Sequence, residues 1–353
     1  MPQGVKANQR MRAITYNQHG DSSVLELVER EIPEPGQGEI RIRIVVSGVN
    51  PTDWKSRRGM YVGPLTEVTV PNQDGAGVVD AVGPGVNGFQ VGDRVWVTLA
   101  GDGRPGSGTA QEYTVIPAER AFPLPASADF DLGASVGIPA VTAHRALTVA
   151  EDGPARLRPK ALSDKTILVA GGAGAVGNAA IQLARWAGAT VIATVSSESK
   201  ARLASAAGAH HVVNYTDDDA ADQIVRAAPA GVGLIVEVAA GRNNELDLAI
   251  LRPRGTISIY ANDGGVPLAT DVRRNMGLNA RYQFVLLYTV GWERIVAAGA
   301  DISQAIEDGA FRVGDQAGLP LHHFSLDQAP AAHAAVENGA VGKVLIRVGG
   351  PAA

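Results

Sequence analysis

The run Glu39–Val46 (EIRIRIVV) alternates charged and apolar residues, the period of a strand with one buried face. Gly77–Val82 (GVVDAV) and Asp93–Val97 (DRVWV) have a similar β-branched texture, and Pro35-Gly36 and Pro84-Gly85 mark turns between such runs. Residues 1–142 are therefore expected to form a mostly antiparallel β domain. From Ala143 the rhythm changes. Short apolar strands are predicted at Thr166–Ala170, Thr190–Val195, His211–Asn214, Leu234–Val238, Thr256–Tyr260 and Arg281–Leu287. After the first of them, Val176, Ala180, Leu183, Ala184 and Ala187 recur at helical spacing; after the second, Lys200–Ala207 is Ala-rich and helix-prone. Strands alternating with helices imply a parallel sheet covered on both faces, and six strands match the doubly wound dinucleotide fold. Within 289–353, helix-like stretches at Trp292–Ala298 and Ala329–Glu337 precede a strand-like run, Lys343–Val348. A single terminal strand needs a sheet to join, and the first region offers one. The expected class is α/β, with a doubly wound parallel Rossmann sheet over 143–288 and a β domain assembled from 1–142 and 289–353.

Composition narrows the chemistry. The chain has 353 residues, 45% of them hydrophobic, which is ample for two packed cores and excludes a wholly disordered or fibrous protein. Cysteine is absent, which removes disulfides, thiolate nucleophiles and cysteine-ligated zinc together. The net charge is -5 and no basic block occurs, so a nucleic-acid partner is not expected. No apolar run approaches the roughly 20 residues of a membrane helix. Met1–Arg10 is polar and lacks the apolar core of a secretory signal, so the expected location is the cytoplasm.

The strongest chemical signal is Leu168–Gly177 (LVAGGAGAVG), where a buried strand ends at Ala170 and Gly171, Gly174 and Gly177 follow at intervals of three before a helix opens. A nucleotide pyrophosphate sits on the amides at a helix N-terminus, and side chains would block that approach. The amides of Gly174, Ala175, Val176 and Gly177 are thus candidate phosphate ligands, and the last glycine lets the helix pack closely on the sheet. A tight strand-to-helix turn is the plain alternative, but the strand before and the helix after satisfy the context the motif requires. The next strand ends at Ser196, 19 residues beyond Gly177. NAD sites place an acidic residue there for the ribose 2′-hydroxyl. This chain has Ser196-Ser197-Glu198-Ser199-Lys200 instead, and hydroxyl donors with a cation suit a 2′-phosphate, favouring NADPH over NADH. Glu198 fits that scheme if it faces solvent. An exposed helix face would account for Arg202 as well as any ligand role.

Gly171–Gly177, Gln182-Leu183-Ala184-Arg185, Gly188-Ala189, Gly208-Ala209 and Val213-Asn214-Tyr215 resemble the zinc-free quinone oxidoreductases, the ζ-crystallin-like branch of the medium-chain dehydrogenase/reductase superfamily. The resemblance extends through Asn50-Pro51-Thr52-Asp53, Arg58-Gly59-Met60-Tyr61, the Gly92-Asp93-Arg94-Val95 segment and Gly342-Lys343-Val344, and so covers nearly the whole chain. Ala175 departs from it, since the branch usually has a second consecutive glycine there. The resemblance implies a GroES-like catalytic domain built from both ends of the chain, a cofactor cleft and a homodimer. It also implies that Lys200 and Tyr215 hold the NADPH 2′-phosphate end with Ser196 and Ser197 beside them. Thr142 would lie near the nicotinamide, Asn50 would line the cleft, and Lys343 would either reach the cleft or serve structure. Glu237 and Gly241 would shape the adenine-side loop, although Glu237 reads equally as a plain strand-end charge.

Zinc-dependent members of the superfamily carry Cys at the position of Asn50 and Gly-His-Glu at Asn72-Gln73-Asp74, and their four-cysteine lobe is replaced here by Ala100–Gly108. Neither Asn nor Gln is a usual zinc ligand, so no protein-bound metal is expected. Without a strong Lewis acid, alcohol dehydrogenation is disfavoured and an electrophilic acceptor, a quinone or an α,β-unsaturated carbonyl, suits the site better. The protein then has to orient the acceptor and supply a proton or hydrogen bond. Tyr61 and Lys55 are the candidate donors and Asp53 the candidate orienting group; each also has a plain role, as packing residue, surface cation and turn cap. The competing functions are an enoyl-thioester reductase of lipid or natural-product synthesis and a non-catalytic NADPH-binding, crystallin-like protein.

Overall fold

The computed structural model describes residues 10–60 and 63–349. In chain order the elements are β1 (Arg10–Thr15), β2 (Glu26–Glu31), β3 (Glu39–Val49), α1 (Pro51–Arg57), β4 (Asp74–Val82), β5 (Arg94–Val97), β6 (Tyr113–Pro117), β7 (Ala121–Pro123) and α2 (Phe130–Leu147). There follow β8 (Thr166–Ala170), α3 (Ala175–Trp186), β9 (Thr190–Val195), α4 (Glu198–Ala206), β10 (His211–Asn214), α5 (Ala220–Ala227), β11 (Val232–Glu237), α6 (Ala240–Ile250) and β12 (Leu251–Ile259). The chain closes with α7 (Val272–Leu278), β13 (Arg281–Phe284), α8 (Trp292–Glu307), β14 (Leu321–Ser325), α9 (Ala329–Glu337) and β15 (Lys343–Arg347).

Two compact units emerge. One combines the residues up to Ile138 with those from His322 onward; the other runs from Pro139 to Leu321. The sequence pattern put the second junction near 288, whereas the second unit continues to Leu321. The physical reason is visible in α3, where buried Asn178 donates from Nδ2 to Ala317 O at 2.8 Å and Gln182 from Nε2 to Arg312 O at 2.9 Å. The segment after β13 is tied to the nucleotide fold by these bonds.

The first unit holds a seven-stranded sheet in the order β14-β15-β3-β4-β5-β7, with β6 also paired to β3. The pairs β15–β3, β3–β4, β3–β6, β4–β5 and β5–β7 are antiparallel. The alternation predicted for β3 is realised: Ile40, Ile42 and Ile44 are fully buried while the arginines between them are partly exposed. The strand continues to Val49, and β15 docks on this extension with Val344 opposite Val49. The orphan C-terminal strand thus finds its sheet at the far end of the chain, as the pattern required.

The second unit holds a six-stranded, wholly parallel sheet in the order β10-β9-β8-β11-β12-β13. That is the 3-2-1-4-5-6 order of a doubly wound dinucleotide fold, with its reversal point between β8 and β11. Strands β8, β9 and β10 have the bounds predicted from sequence. Strand β12 starts five residues earlier than expected, at Leu251, after a register shift between Val232 and Leu234 on its neighbour β11. Strand β13 stops at Phe284 because the chain turns into a short 3-10 helix at Leu287.

Candidate functional site

Each unit presents one cluster with chemical potential. In the second, β8 delivers the chain into the glycine loop. Gly171 has φ +68°, a conformation that L side chains rarely adopt, and a Cβ on Gly177 would lie 2.2 Å from Gly171 O. Helix α3 can therefore start this close to the strand only with glycine at 177. Its N-cap is Gly174, whose backbone is extended and which offers no capping side chain, so the first amides of α3 are left for another acceptor. Gly174, Ala175 and Val176 are exposed or half-buried, and Gly177 is buried.

The parallel register places Asn214 opposite Val195, so Ser196 and Tyr215 emerge together at the carboxyl ends of β9 and β10. Tyr215 N donates to Val195 O at 3.0 Å, and the residue is 44% exposed. Ser197 caps α4, accepting from Lys200 N at 3.3 Å, and Lys200 Nζ donates to Ser196 Oγ at 3.0 Å. Hydroxyls and an ammonium thus gather at the strand tip. Glu198 is 90% exposed on its side chain and ion-paired with Arg202 at 2.8 Å. Its charge is turned outward and matched one helical turn on. The structure brings together Ser196, Ser197, Lys200 and Tyr215; Thr142 is buried within α2.

At the end of β11, Glu237 is fully buried. Its Oε1 accepts from Ala239 N and from Asn243 Nδ2 at 2.9 Å, while Oε2 has no partner among the described residues. Burial raises the carboxyl's pKa, and the donated hydrogen bonds pull it partly back.

In the first unit, β3 ends at Val49 and Asn50 opens α1. Asn50 N donates to Asp53 Oδ2 at 2.6 Å, and Asp53 N to Asn50 O at 3.0 Å, so the two residues cap the helix start. Burial pushes the Asp53 carboxyl up to about 7, opposed by the Asn50 amide; the charge of Asp74 adds to the rise and that of Lys343 offsets it. Lys343 is 1% exposed and Asp74 0%. Lys343 Nζ donates to Asn50 Oδ1 at 2.8 Å and to Asp74 Oδ2 at 3.0 Å, and Asn50 Nδ2 donates to the same Asp74 oxygen at 2.7 Å. The second carboxylate oxygen, Asp74 Oδ1, accepts from Ile138 N at 2.7 Å. The ring is possible because Gly48 faces Asp74 in the register and carries no side chain. A Cβ there would lie 2.1 Å from Ala134 O, 3.0 Å from Lys343 Cε and 3.2 Å from Asp74 Cβ.

A second buried chain runs behind this ring. His333 Nε2 lies 2.9 Å from Asn72 Oδ1, Asn72 Nδ2 donates to Ser47 Oγ at 2.9 Å, and Ser47 bonds Thr109 at 2.7 Å. Burial, reinforced by the charge of Arg57, pushes His333 down to about 3, so the imidazole is neutral at ordinary pH. A neutral ring facing an amide oxygen must carry its proton on Nε2. Asn72 stands at φ +74°, a conformation that asparagine tolerates better than most residues.

Of the residues singled out for catalysis, Asp53 is buried in this cluster. Lys55 is half-buried with its ammonium 5.7 Å from the Trp54 ring, and Tyr61 lies outside the described residues. Asn50 and Lys343, expected at a cleft, are bonded to each other. Sequence inspection passed over Asp74, Asp247 and His333 as site residues. A carboxylate at the start of an apolar strand and a lysine in the last strand are a legible signal for a buried ion pair; that they meet is not.

The residues present do not fit a catalytic zinc. The oxygens of Asn50 and Asp74 already face an ammonium, which would repel a second cation, and among the described residues no three His, Cys, Asp or Glu side chains are grouped as metal ligands. The six-strand order, the glycine loop and the antiparallel sheet closed by the C-terminal strand define a medium-chain dehydrogenase/reductase. Residues 36–126 match the family model described as the alcohol dehydrogenase GroES-like domain, and 175–302 the model described as zinc-binding dehydrogenase. Quinone oxidoreductase of Lama guanicoe is 31% identical over 340 residues, covering 95% of this chain and 97% of the relative. The chain belongs to the quinone oxidoreductase branch of this superfamily and is an oxidoreductase by class. Among solved structures, Escherichia coli quinone oxidoreductase complexed with NADPH is 25% identical with a TM-score of 0.77, covering 95% of this chain and 99% of that one. A structure described as an NAD-dependent alcohol dehydrogenase is 29% identical with a TM-score of 0.80, covering 96% of this chain and 100% of that one. Fold likeness thus spans both cofactors, and the choice between them rests on side chains.

Proposed function

We propose that the protein is an NADPH-dependent, zinc-independent reductase of quinones or α,β-unsaturated carbonyl compounds. The observation that carries this is the ammonium of Lys343 held by Asn50 and Asp74. A side-chain cation takes up the donors that a metal would need, so the acceptor has to be electrophilic in its own right. NADPH, when bound, supplies the hydride. The amides of Ala175, Val176 and Gly177 at the start of α3 take its pyrophosphate, with Gly174, whose own amide donates to Gly171 O at 3.0 Å, leaving room for its approach. Ser196, Ser197, Lys200 and Tyr215 take the 2′-phosphate, a role supported by the outward turn of Glu198. Thr142 borders the nicotinamide, and Tyr61 or Lys55 donates toward the acceptor oxygen as charge develops there. The residues up to Ile138 with those from His322 onward form the catalytic domain, and Pro139–Leu321 the nucleotide domain.

The proposed assembly is a homodimer. Strand β13 is outermost in its sheet, its last residue Phe284 is 65% exposed, and Leu286, two residues beyond it, is 56% exposed. The test of function is oxidation of NADPH against a panel of quinones, enones and enoyl thioesters. Turnover of quinones or enones supports the proposal. Turnover of thioesters alone replaces it with an enoyl-thioester reductase, and no turnover with retained NADPH binding replaces it with a binding protein.

A further inference from the structure

Glu237 is not alone. Helix α6 brings Asp247 to it from the helix's second turn, and Asp247 is as buried as its neighbour. Asp247 Oδ2 and Glu237 Oε2 are both cut off from water and from any ordinary donor among the described residues. Two carboxylates cannot both hold charge in such a place, whereas a carboxylic acid and a carboxylate satisfy each other through one proton. Burial and the charge of Glu237 hold the Asp247 carboxyl well above its ordinary range, and the hydrogen bond between them raises it further. The proton therefore sits on Asp247, which donates to Glu237.

The other oxygen of Glu237 orders the chain that follows β11. Oε1 receives Ala239 N and Asn243 Nδ2, which fixes the first turn of α6. Of the two residues between strand and helix, Val238 packs against the glycine loop: its Cγ1 lies 3.1 Å from where a Cβ on Gly171 would stand. The same loop is tied on its far side by Asp263 N to Val238 O at 2.8 Å and Gly241 N to Asn262 Oδ1 at 3.0 Å. Because β8 and β11 are neighbours at the reversal point of the sheet, this loop adjoins the phosphate-binding turn.

We propose that Glu237 and Asp247 are a positioning pair for the nucleotide site: one shared proton latches the turn 238–243 against Gly171, and its loss in alkaline solution releases that turn and weakens NADPH binding. The proposal deepens the NADPH reading above and rests on it for the ligand. The ionisable groups around the pair are Tyr260 and Asp263 after β12, and Tyr282 of β13 with Arg274 of α7. Burial, and after it the charge of Glu237, raises the Tyr260 pKa; burial chiefly, with a smaller part from Asp247, raises that of Tyr282. None of these supplies a compensating cation against Glu237, so the second charge has nothing to balance it.

The test compares the wild type with Asp247→Asn, which keeps a donor toward Glu237 but has no proton to lose, across neutral to alkaline pH. NADPH binding is read by fluorescence and unfolding of the apo protein by thermal denaturation. The expected result is a wild-type NADPH Kd that rises about tenfold or more with pH while that of Asp247→Asn stays flat. The apo wild type should lose melting temperature over the same range, and the variant should not. Parallel pH profiles for the two proteins overturn the latch. Should the wild type bind no NADPH at any pH, the cofactor reading fails by itself, and the apo melting curves still decide for or against the shared proton. Glu237→Gln is the control for folding: it removes the charge on the other side and should likewise flatten the melting profile, and a profile as steep as the wild type's counts against the pair.

Discussion

Lys343 crosses over Gly48 to reach Asp74, and the 3.0 Å left between its Cε and an imagined Cβ at 48 shows how closely the glycine admits it. A buried ion pair of this kind is costly to break from one side, because the surviving charge has nowhere to go. Lys343→Met should lose on the order of 3–5 kcal/mol of stability in chemical denaturation. Lys343→Met combined with Asp74→Asn should recover most of it, since no charge is left stranded. Equal stability of the single and double variants would show that the pair carries no such coupling.

Lys200→Ala should weaken NADPH binding about 10- to 100-fold, the worth of a charge-assisted hydrogen bond to phosphate, and leave NADH nearly untouched. Isothermal titration with both nucleotides checks this. An equal loss for the two removes Lys200 from the phosphate site.

His333 binds no proton until pH falls to about 3, while in the unfolded chain it titrates near its ordinary 6.5. The unfolded state therefore takes up the proton first, and stability falls as pH drops through that window. The loss should reach a few kcal/mol at the acid end. In His333→Gln, whose amide can still donate to Asn72, the acid limb of a stability-against-pH curve should be correspondingly shallower.

Gly177→Ala places a methyl group 2.2 Å from Gly171 O, far inside any real contact. Helix α3 has to move off the loop, at a cost of about 1–3 kcal/mol. The melting temperature should fall and nucleotide affinity with it. The same substitution at Gly174, where the nearest atom to an added Cβ is Gly171 O at 3.4 Å, should be far milder for folding.

Local rules made much of the nucleotide unit legible. Strands β8, β9 and β10 fell on their predicted residues because each is a short apolar run ended by a turn, and such a strand needs no distant information. Gly171, Gly174 and Gly177 announced the loop by spacing, and Ser196 with Lys200 announced the strand tip by the absence of an acid. The limits of β11, β12 and β13 were less well placed, since a register shift at Val232 and a turn at Leu287 are settled by neighbours.

What the amino-acid sequence determined by itself, then, is the alternation of strands and helices and the glycine turn after β8, because each depends on residues close together in the chain, together with the lack of cysteine ligands, which composition alone settles. Only the tertiary structure decided that Lys343 meets Asn50 and Asp74, that His333 leans on Asn72, and that Glu237 shares its burial with Asp247. The first two contacts join residues more than 250 positions apart. The third depends on how α6 folds back on β11. In each, a polar group removed from water must find its partner through space, and the chain order holds no record of that distance.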